Sequence, residues 1–353
     1  MYRVLYLSLI VYGAFSQISQ ALLIRENLVV FYGNEISLGV FFGSWLLWIA
    51  VGSALAIPLR ERISSPLPWL RGLLLSLPVL LGAQIITTRV VRHFFDISST
   101  QFIAFGDLFI AVTLINLPAA LVIGIAFPLA CKALRLELQS RHAEPAIADN
   151  SQQVVRGISR LYIFDALGAL VGGFVFTFLL IELAGVWISW AVVMLSIAIT
   201  SLLLGRLRQD ATRLSARFLQ IAGWLCLLLA VLFLVTPINE KFSSLMETVR
   251  FQTLQPGLEL LDTVETRYGH VAIARLGEQV SVVNDGRIGL SFPNTEDAEK
   301  QAAYFYAQGN WPKRILMFGG TASDLLAELL RYPVQGITVV EQDRLAFEHT
   351  MPW

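Results

Sequence analysis

Charge is the first thing this sequence is short of. Only 15% of its 353 residues are Asp, Glu, Lys or Arg and 56% are hydrophobic, where a soluble domain carries roughly 25% charge. The deficit is uneven: residues 1–236 hold 16 Lys or Arg and 11 Asp or Glu, whereas the shorter stretch 237–353 holds 10 and 15. One part is composed for lipid and the other for water, with the boundary near Pro237. Cysteine is scarce too. Cys131 and Cys226 both sit in apolar runs, which excludes a disulfide framework and reads as two small core hydrophobes. With those two cysteines and four histidines, no metal site is expected. No cleavable leader is expected either, because the first apolar run lacks a small-residue exit and leads straight into more membrane-type sequence. The basic residues cluster in short loops between apolar runs, where they act as orientation signals, and no nucleic-acid partner is expected.

Long apolar runs are what the sequence does have. A spanning helix needs ~20 mostly apolar residues to cross ~30 Å of hydrocarbon. Seven runs qualify: 4–24, 37–57, 68–87, 108–133, 161–183, 187–205 and 218–236. They predict an α-helical polytopic domain over 1–236, of about seven transmembrane helices, with the lipid bilayer as its partner. Small residues at four-residue spacing, Gly39/Gly43 and Gly168/Gly172, predict faces where helix backbones approach closely. Trp69, Tyr162, Trp187 and Trp190, near run ends, read as interfacial anchors.

Basic residues set the orientation. Arg60, Arg62, Lys132, Arg135, Arg141, Arg156, Arg160, Arg206, Arg208, Arg213 and Arg217 follow the second, fourth and sixth runs, against Arg25, Arg89 and Arg92 on the other side. Basic loops stay in the cytoplasm, so a cell (inner) membrane protein with a cytoplasmic N-terminus is predicted. Seven crossings then put the C-terminal region outside. Run 68–87, interrupted by Arg71, is the weakest span, and without it the side reverses. Within or beside the runs lie Asp165, Asp107, Asn116, Gln17, Gln20 and Glu182. Ionisable groups are costly at membrane depth, which makes them functional candidates. Asp165 and Asp107 are the intramembrane polar candidates, Asp165 foremost. Five residues into its run is only about 7.5 Å of helix rise, so an interfacial Asp165 capping its helix or pairing with Arg160 is the alternative.

Beyond Pro237 the pattern shortens. Residues 271–274 and 280–283 read as strands, and Asn284-Asp285-Gly286 supplies hairpin turn chemistry. Residues 296–307 read as a helix, 314–318 as a buried strand, 324–330 as a helix and 337–340 as a second apolar strand. Gly319-Gly320 follows the first of these two strands and Glu341 ends the second. Strand, glycine turn, helix and strand make the opening βαβ unit of a doubly wound, Rossmann-like sheet. In such a unit the glycines let backbone approach a nucleotide and the acid at the strand end accepts from ribose hydroxyls. An ordinary turn with a solvated Glu341 is the plainer alternative. The predicted organisation is 1–236 membrane domain, 237–311 linker and β-hairpin subdomain, and 312–353 partial nucleotide-binding unit.

These residues carry a resemblance. Tyr268-Gly269, Asn284-Asp285-Gly286-Arg287, Pro312-Lys313-Arg314-Ile315-Leu316, Gly319-Gly320, Glu328-Leu329-Leu330 and Val339-Val340-Glu341-Gln342-Asp343 follow one another as in the spermidine synthase family, the polyamine aminopropyltransferases. Glu26 with Phe31-Tyr32-Gly33, Gly124-Ile125-Ala126-Phe127-Pro128 and Tyr162, Asp165, Gly168-Ala169 resemble the multi-spanning halves fused to such domains in bacterial proteins. The resemblance implies transfer of an aminopropyl group from decarboxylated S-adenosylmethionine, the co-substrate, to a polyamine. The cofactor-binding positions it implies are Gly319, Gly320, Glu341 and Asp343, with Glu341 on the ribose and the glycines lining the nucleoside pocket. It implies no metal.

The sequence departs from that pattern twice. The glycine turn of the family reads Gly-Gly-Gly-Asp-Gly-Gly, and here it is Gly319-Gly320-Thr321-Ala322-Ser323-Asp324. The later strands that carry the family's catalytic carboxylates do not occur in these 353 residues. One βαβ unit alone predicts open sheet edges and exposed apolar faces. The sequence is then part of a longer chain, or a second polypeptide completes the fold, or the region is a remnant. On each reading the enzyme is incomplete or inactive as this chain alone. The alternative is a membrane transporter or structural membrane protein with a vestigial or partner-completed C-terminal domain.

Overall fold

The computed structural model describes residues 2–95, 97, 101, 103–141, 147–181, 184–207, 213–308, 312–320 and 323–353. Seven of its helices are long and apolar enough to cross a membrane: α1 (Tyr2–Val30), α2 (Glu35–Arg62), α3 (Pro66–Phe94), α4 (Phe105–Arg141), α5 (Ile147–Val175), α6 (Gly185–Gly205) and α7 (Arg213–Val235). A π-helical segment, Phe176–Leu180, extends α5. Hydrocarbon offers no hydrogen-bond partner, so each backbone group must be satisfied within the protein. Pro128 inside α4 shows how a breach is closed. It has no N–H for the carbonyl four residues back, and Ser53 Oγ of α2 donates to that carbonyl, Gly124 O, at 3.0 Å.

Helix contacts form where glycine permits them. A Cβ on Gly168 would fall 2.1 Å from Ile10 O, and one on Gly172 would fall 2.6 Å from Ala14 Cα, so α5 lies directly on the α1 backbone. Gly52 and Gly124 make the equivalent contact between α2 and α4, with Leu121 O and Ile49 O each 2.3 Å from the position of an added Cβ. Gly39 and Gly43 do not share this role. Both are exposed with nothing within 4 Å of a Cβ, because α2 turns that face away from its neighbours. The four expected interfacial aromatics divide by burial. Trp69 and Tyr162 are 55% and 65% exposed, but Trp187 is buried, and Trp190 donates to Pro78 O across the α3–α6 contact at 2.7 Å.

Run 68–87 lies inside α3, one of the seven helices long and apolar enough to cross a membrane. Arg71 is buried there, donating to Ser201 O of α6 at 3.0 Å and Gln220 Oε1 of α7 at 3.2 Å.

The stretch after Pro237 begins with a helix, α8 (Ile238–Leu254), where a linker was expected. A four-stranded antiparallel sheet follows in chain order, β1 (Glu259–Glu265), β2 (His270–Leu276), β3 (Gln279–Asn284) and β4 (Arg287–Phe292). The expected strands are the cores of β2 and β3. β1 and β4 flank them, and the Asn284–Arg287 pair closes the β3–β4 hairpin over Asp285 and Gly286, both at positive φ. Then come α9 (Thr295–Ala307), β5 (Arg314–Phe318), α10 (Leu325–Leu329), β6 (Gly336–Val340) and α11 (Arg344–Thr350). β5 and β6 pair in parallel, Ile315 opposite Ile337. One face of this pair packs on α9 and α10 through Ile315, Ala302, Tyr306 and Leu329. On the other, Leu316, Phe318 and Val340 are 59%, 76% and 45% exposed, the open face expected of a lone parallel pair.

The sheet docks on the end of the bundle opposite the N-terminus. Val29 and Tyr32, at the end of α1, form one cluster with Leu254 of α8. The β3–β4 turn lies so close that a Cβ on Gly286 would stand 2.6 Å from Val29 O.

Candidate functional site

Between the antiparallel sheet and the β5–α10–β6–α11 unit lies a cleft of about 300 Å³. Tyr268, Gly269, His270, Asn284 and Asp285 form one wall, and Gly320, Glu341, Asp343, Phe347 and Thr350 the other. Local chemistry shapes both walls. Gly269 sits where a Cβ would come within 2.8 Å of the Asp285 carboxylate, and Asp285 Oδ1 accepts from His270 N at 2.9 Å. Gly319 and Gly320 take φ of 73° and 82°, a region costly for any residue with a Cβ. Gly319 N donates to Val340 O at 2.9 Å, tying the glycine turn to the end of β6, from which Glu341 emerges half-buried into the cleft.

Three of the four expected cofactor-binding residues, Gly320, Glu341 and Asp343, therefore share one cleft, and Gly319 forms the turn beneath it. Asp343 is held by the fold. Its Oδ1 caps α11 by accepting from Ala346 N at 3.1 Å, and its Oδ2 accepts from Thr266 Oγ1 at 2.5 Å. Asp285 is likewise bonded into the β2–β3 wall. Glu341 is the cleft carboxylate that stands directly at the end of β6, beside the glycine turn. A backbone open at Gly320 and a carboxylate at the strand end fit the ribose side of a nucleoside. Thr321 and Ala322 lie outside the described residues.

Sequence reasoning missed the group that holds the cleft to the bundle. Arg25, Arg89 and Arg250 interlock with Glu26, Glu247 and Glu265 where α1, α3, α8 and β1 meet. Arg89 grips Glu26 with two nitrogens, at 2.9 and 2.6 Å, both side chains fully buried. Arg89 also reaches Glu247 at 3.0 Å, Arg250 reaches Glu26 at 3.3 Å and Glu265 at 3.1 Å and pairs with Glu247, and Arg25 reaches Glu265 at 2.9 Å. His270, 5% exposed, brings Nε2 to 3.3 Å from Glu247 and is also among the residues that line the cleft. Burial alone would raise both acids, but Arg250, Arg89 and His270 hold Glu247 well below the usual carboxylate range. Against the same burial, His270, Arg250 and Arg25 lower Glu265, Glu247 opposing them. Arg250 is pushed upward, its three glutamates outweighing burial.

Ligand atoms of Glu247, Glu265 and His270 lie within 4.8 Å of one another, a spacing that could hold a metal ion. The guanidiniums already neutralise both carboxylates, however, and a divalent cation would have to displace them. The three side chains belong to the ion-pair lattice.

In the bundle, Asp165 lies on α5, whose candidate span Val154–Leu180 begins before the run and takes in Arg156 and Arg160. Its neighbour is Gly13 of α1, whose added Cβ would fall 2.8 Å from Asp165 Oδ1. It has no ion pair with Arg160 among the described residues. Asp107 occupies the first turn of α4, where the helix dipole favours an acid. Asn116 bridges α4 to Ser44 Oγ of α2 at 2.9 Å, and Glu182 lies outside the described residues. Cys131 and Cys226 are half-buried and share no disulfide.

Comparisons of the chain with family models, with curated proteins and with solved structures give no match.

Proposed function

We propose that this is a multi-pass membrane protein of aminopropyltransferase type, whose cleft binds the nucleoside part of decarboxylated S-adenosylmethionine or a close relative. The observation that carries the reading is the convergence of Gly320, Glu341 and Tyr268–Asp285 on one cleft of about 300 Å³, at the lower end of the size of small-molecule sites. Glu341 binds ribose hydroxyls, and the glycine turn admits the ligand against backbone. Deprotonation of an attacking amine needs a further carboxylate. Asp285 and Asp343 are committed to the fold, so that group comes from strands that complete the parallel sheet over Leu316, Phe318 and Val340, supplied by a second polypeptide or by more chain. With the N-terminus cytoplasmic, the cleft opens to the non-cytoplasmic side and draws its ligand from there.

Titration calorimetry with a decarboxylated S-adenosylmethionine analogue tests this on the detergent-purified protein. Saturable binding is expected, weakened about tenfold or more in Glu341→Gln, since a hydrogen bond to a charged group contributes ~1.5–3 kcal/mol. No binding at millimolar ligand removes the reading. Transport through the bundle, the rival reading, has less behind it. Asp165 lies within a candidate span, but the cavity beside Tyr12 in the bundle interior has only about 10 Å³, barely room for one water.

A further inference from the structure

A groove of about 560 Å³ opens at the N-terminal end of the bundle, far from the cleft, between the end of α2, the last turns of α4 and the start of α5. Its chemistry is graded along the membrane normal. Phe127, Cys131 and Ile158 line the deeper part, and Lys132, Arg135 and Glu61 stand around it. Lys132 and Arg135 are three residues apart, so they share one face of α4. The Lys132 ammonium is fixed at the mouth by donating to Ile63 O at 2.5 Å. Arg135 is exposed and has no ion-pair partner among the described residues. The candidate span of α4 ends at Gln139, that of α5 begins at Val154 and that of α2 ends at Leu59, so these charges stand near the span ends, where headgroups are expected.

We infer that this groove is a binding site for a phospholipid with an anionic headgroup. An acyl chain lies along Phe127, Cys131 and Ile158, and the phosphate meets Lys132 and Arg135. An amphiphile alone uses both halves of the groove, because a free phosphate would leave the apolar wall uncovered. Among the described residues that line the groove, Lys132 and Arg135 outnumber the single carboxylate of Glu61, which favours an anionic over a zwitterionic headgroup.

Native mass spectrometry of the delipidated, detergent-held protein tests this with phosphatidylglycerol and phosphatidylcholine of identical acyl chains, and with inorganic phosphate as competitor. Phosphatidylglycerol is expected to bind the more tightly. Arg135→Gln should weaken it roughly fivefold, the worth of one basic residue near an anionic surface, and leave phosphatidylcholine unchanged. Ile158→Trp, which fills the apolar wall without altering charge, should weaken both lipids. Lys132→Gln is a poorer variant, since it also uncovers the Ile63 carbonyl. Equal binding of the two lipids, an unaltered Arg135→Gln, or displacement by phosphate at concentrations that leave the acyl contact intact would each overturn the assignment.

Discussion

At the scale of single residues, the lattice around Arg250 is the strongest statement this protein makes. Isolated ions are expensive to bury, and a buried pair is stable only when each partner is fully met. Glu26 meets two guanidiniums, and Arg250 meets three carboxylates. Removing one member strands the rest, so Arg250→Met should destabilise the docked sheet by about 3–5 kcal/mol. The readout is a lower melting temperature in detergent together with faster proteolysis after Pro237; unchanged protection would mean the lattice does not hold the docking. The lattice also sets an acid limit. Glu247 and Glu265 titrate below their ordinary value of 4.5 in the folded protein. Their stabilisation is therefore complete above that value and is lost as the pH falls through the lower folded values. The two carboxylates should stay charged from neutral down to about 5, and docking should weaken below 4.5, as followed by protease sensitivity across that range. None of this was legible in the sequence. Arg25, Arg89 and Arg92 read as loop markers because their partners are remote: Arg89 meets a glutamate 63 positions away and Arg250 one 224 positions away.

At the scale of elements, periodicity found what is locally encoded. The seven apolar runs became seven helices, and the Asn284-Asp285-Gly286 turn became the β3–β4 hairpin, because hydropathy and turn stereochemistry act within a few residues. α8 was missed, as its sequence is half polar and its burial is supplied by α3 and β1. Spacing of small residues did not reveal which faces pack: Gly168/Gly172 meets α1, while Gly39/Gly43, with the same spacing, meets nothing. Gly168→Ala should consequently destabilise the bundle by ~1–3 kcal/mol through overpacking, and Gly43→Ala should leave it unchanged or slightly steadier. Thermal unfolding of the two variants in one detergent decides this, and equal losses would refute the α1–α5 contact. The exposed faces of β5 and β6 did follow from sequence, because one βαβ unit has too few strands and helices to cover a parallel pair.

At the scale of the whole molecule, seven helices long enough to cross a membrane, with the sheet docked at the far end of α1, predict the N-terminus and the cleft on opposite sides. The basic asymmetry is stronger than a count implies. Arg25 and Arg89 are consumed by carboxylates, and Arg92 by the Val30 and Gln101 carbonyls and the Tyr32 ring. Hardly any loop charge remains on that side to compete with the N-terminal face. A reporter fused after Trp353 should accordingly report the non-cytoplasmic side, and one fused before Met1 the cytoplasm. Both on one side would exclude a seven-span topology.

What the sequence by itself determined is the division of solvents, the helices that lipid demands and the local turns, since each depends on neighbouring residues and on the medium around them. The order of strand, turn, helix and strand also made Gly319, Gly320 and Glu341 its candidates for nucleoside binding. Only the tertiary structure decided that Tyr268, Asp285 and Glu341 face one another across a cleft, that Asp343 is taken up by a cap and by Thr266, and that six charges from four elements lock the sheet to the bundle. Those outcomes depend on groups far apart in the chain meeting at bonding distance, and no local pattern encodes such distances.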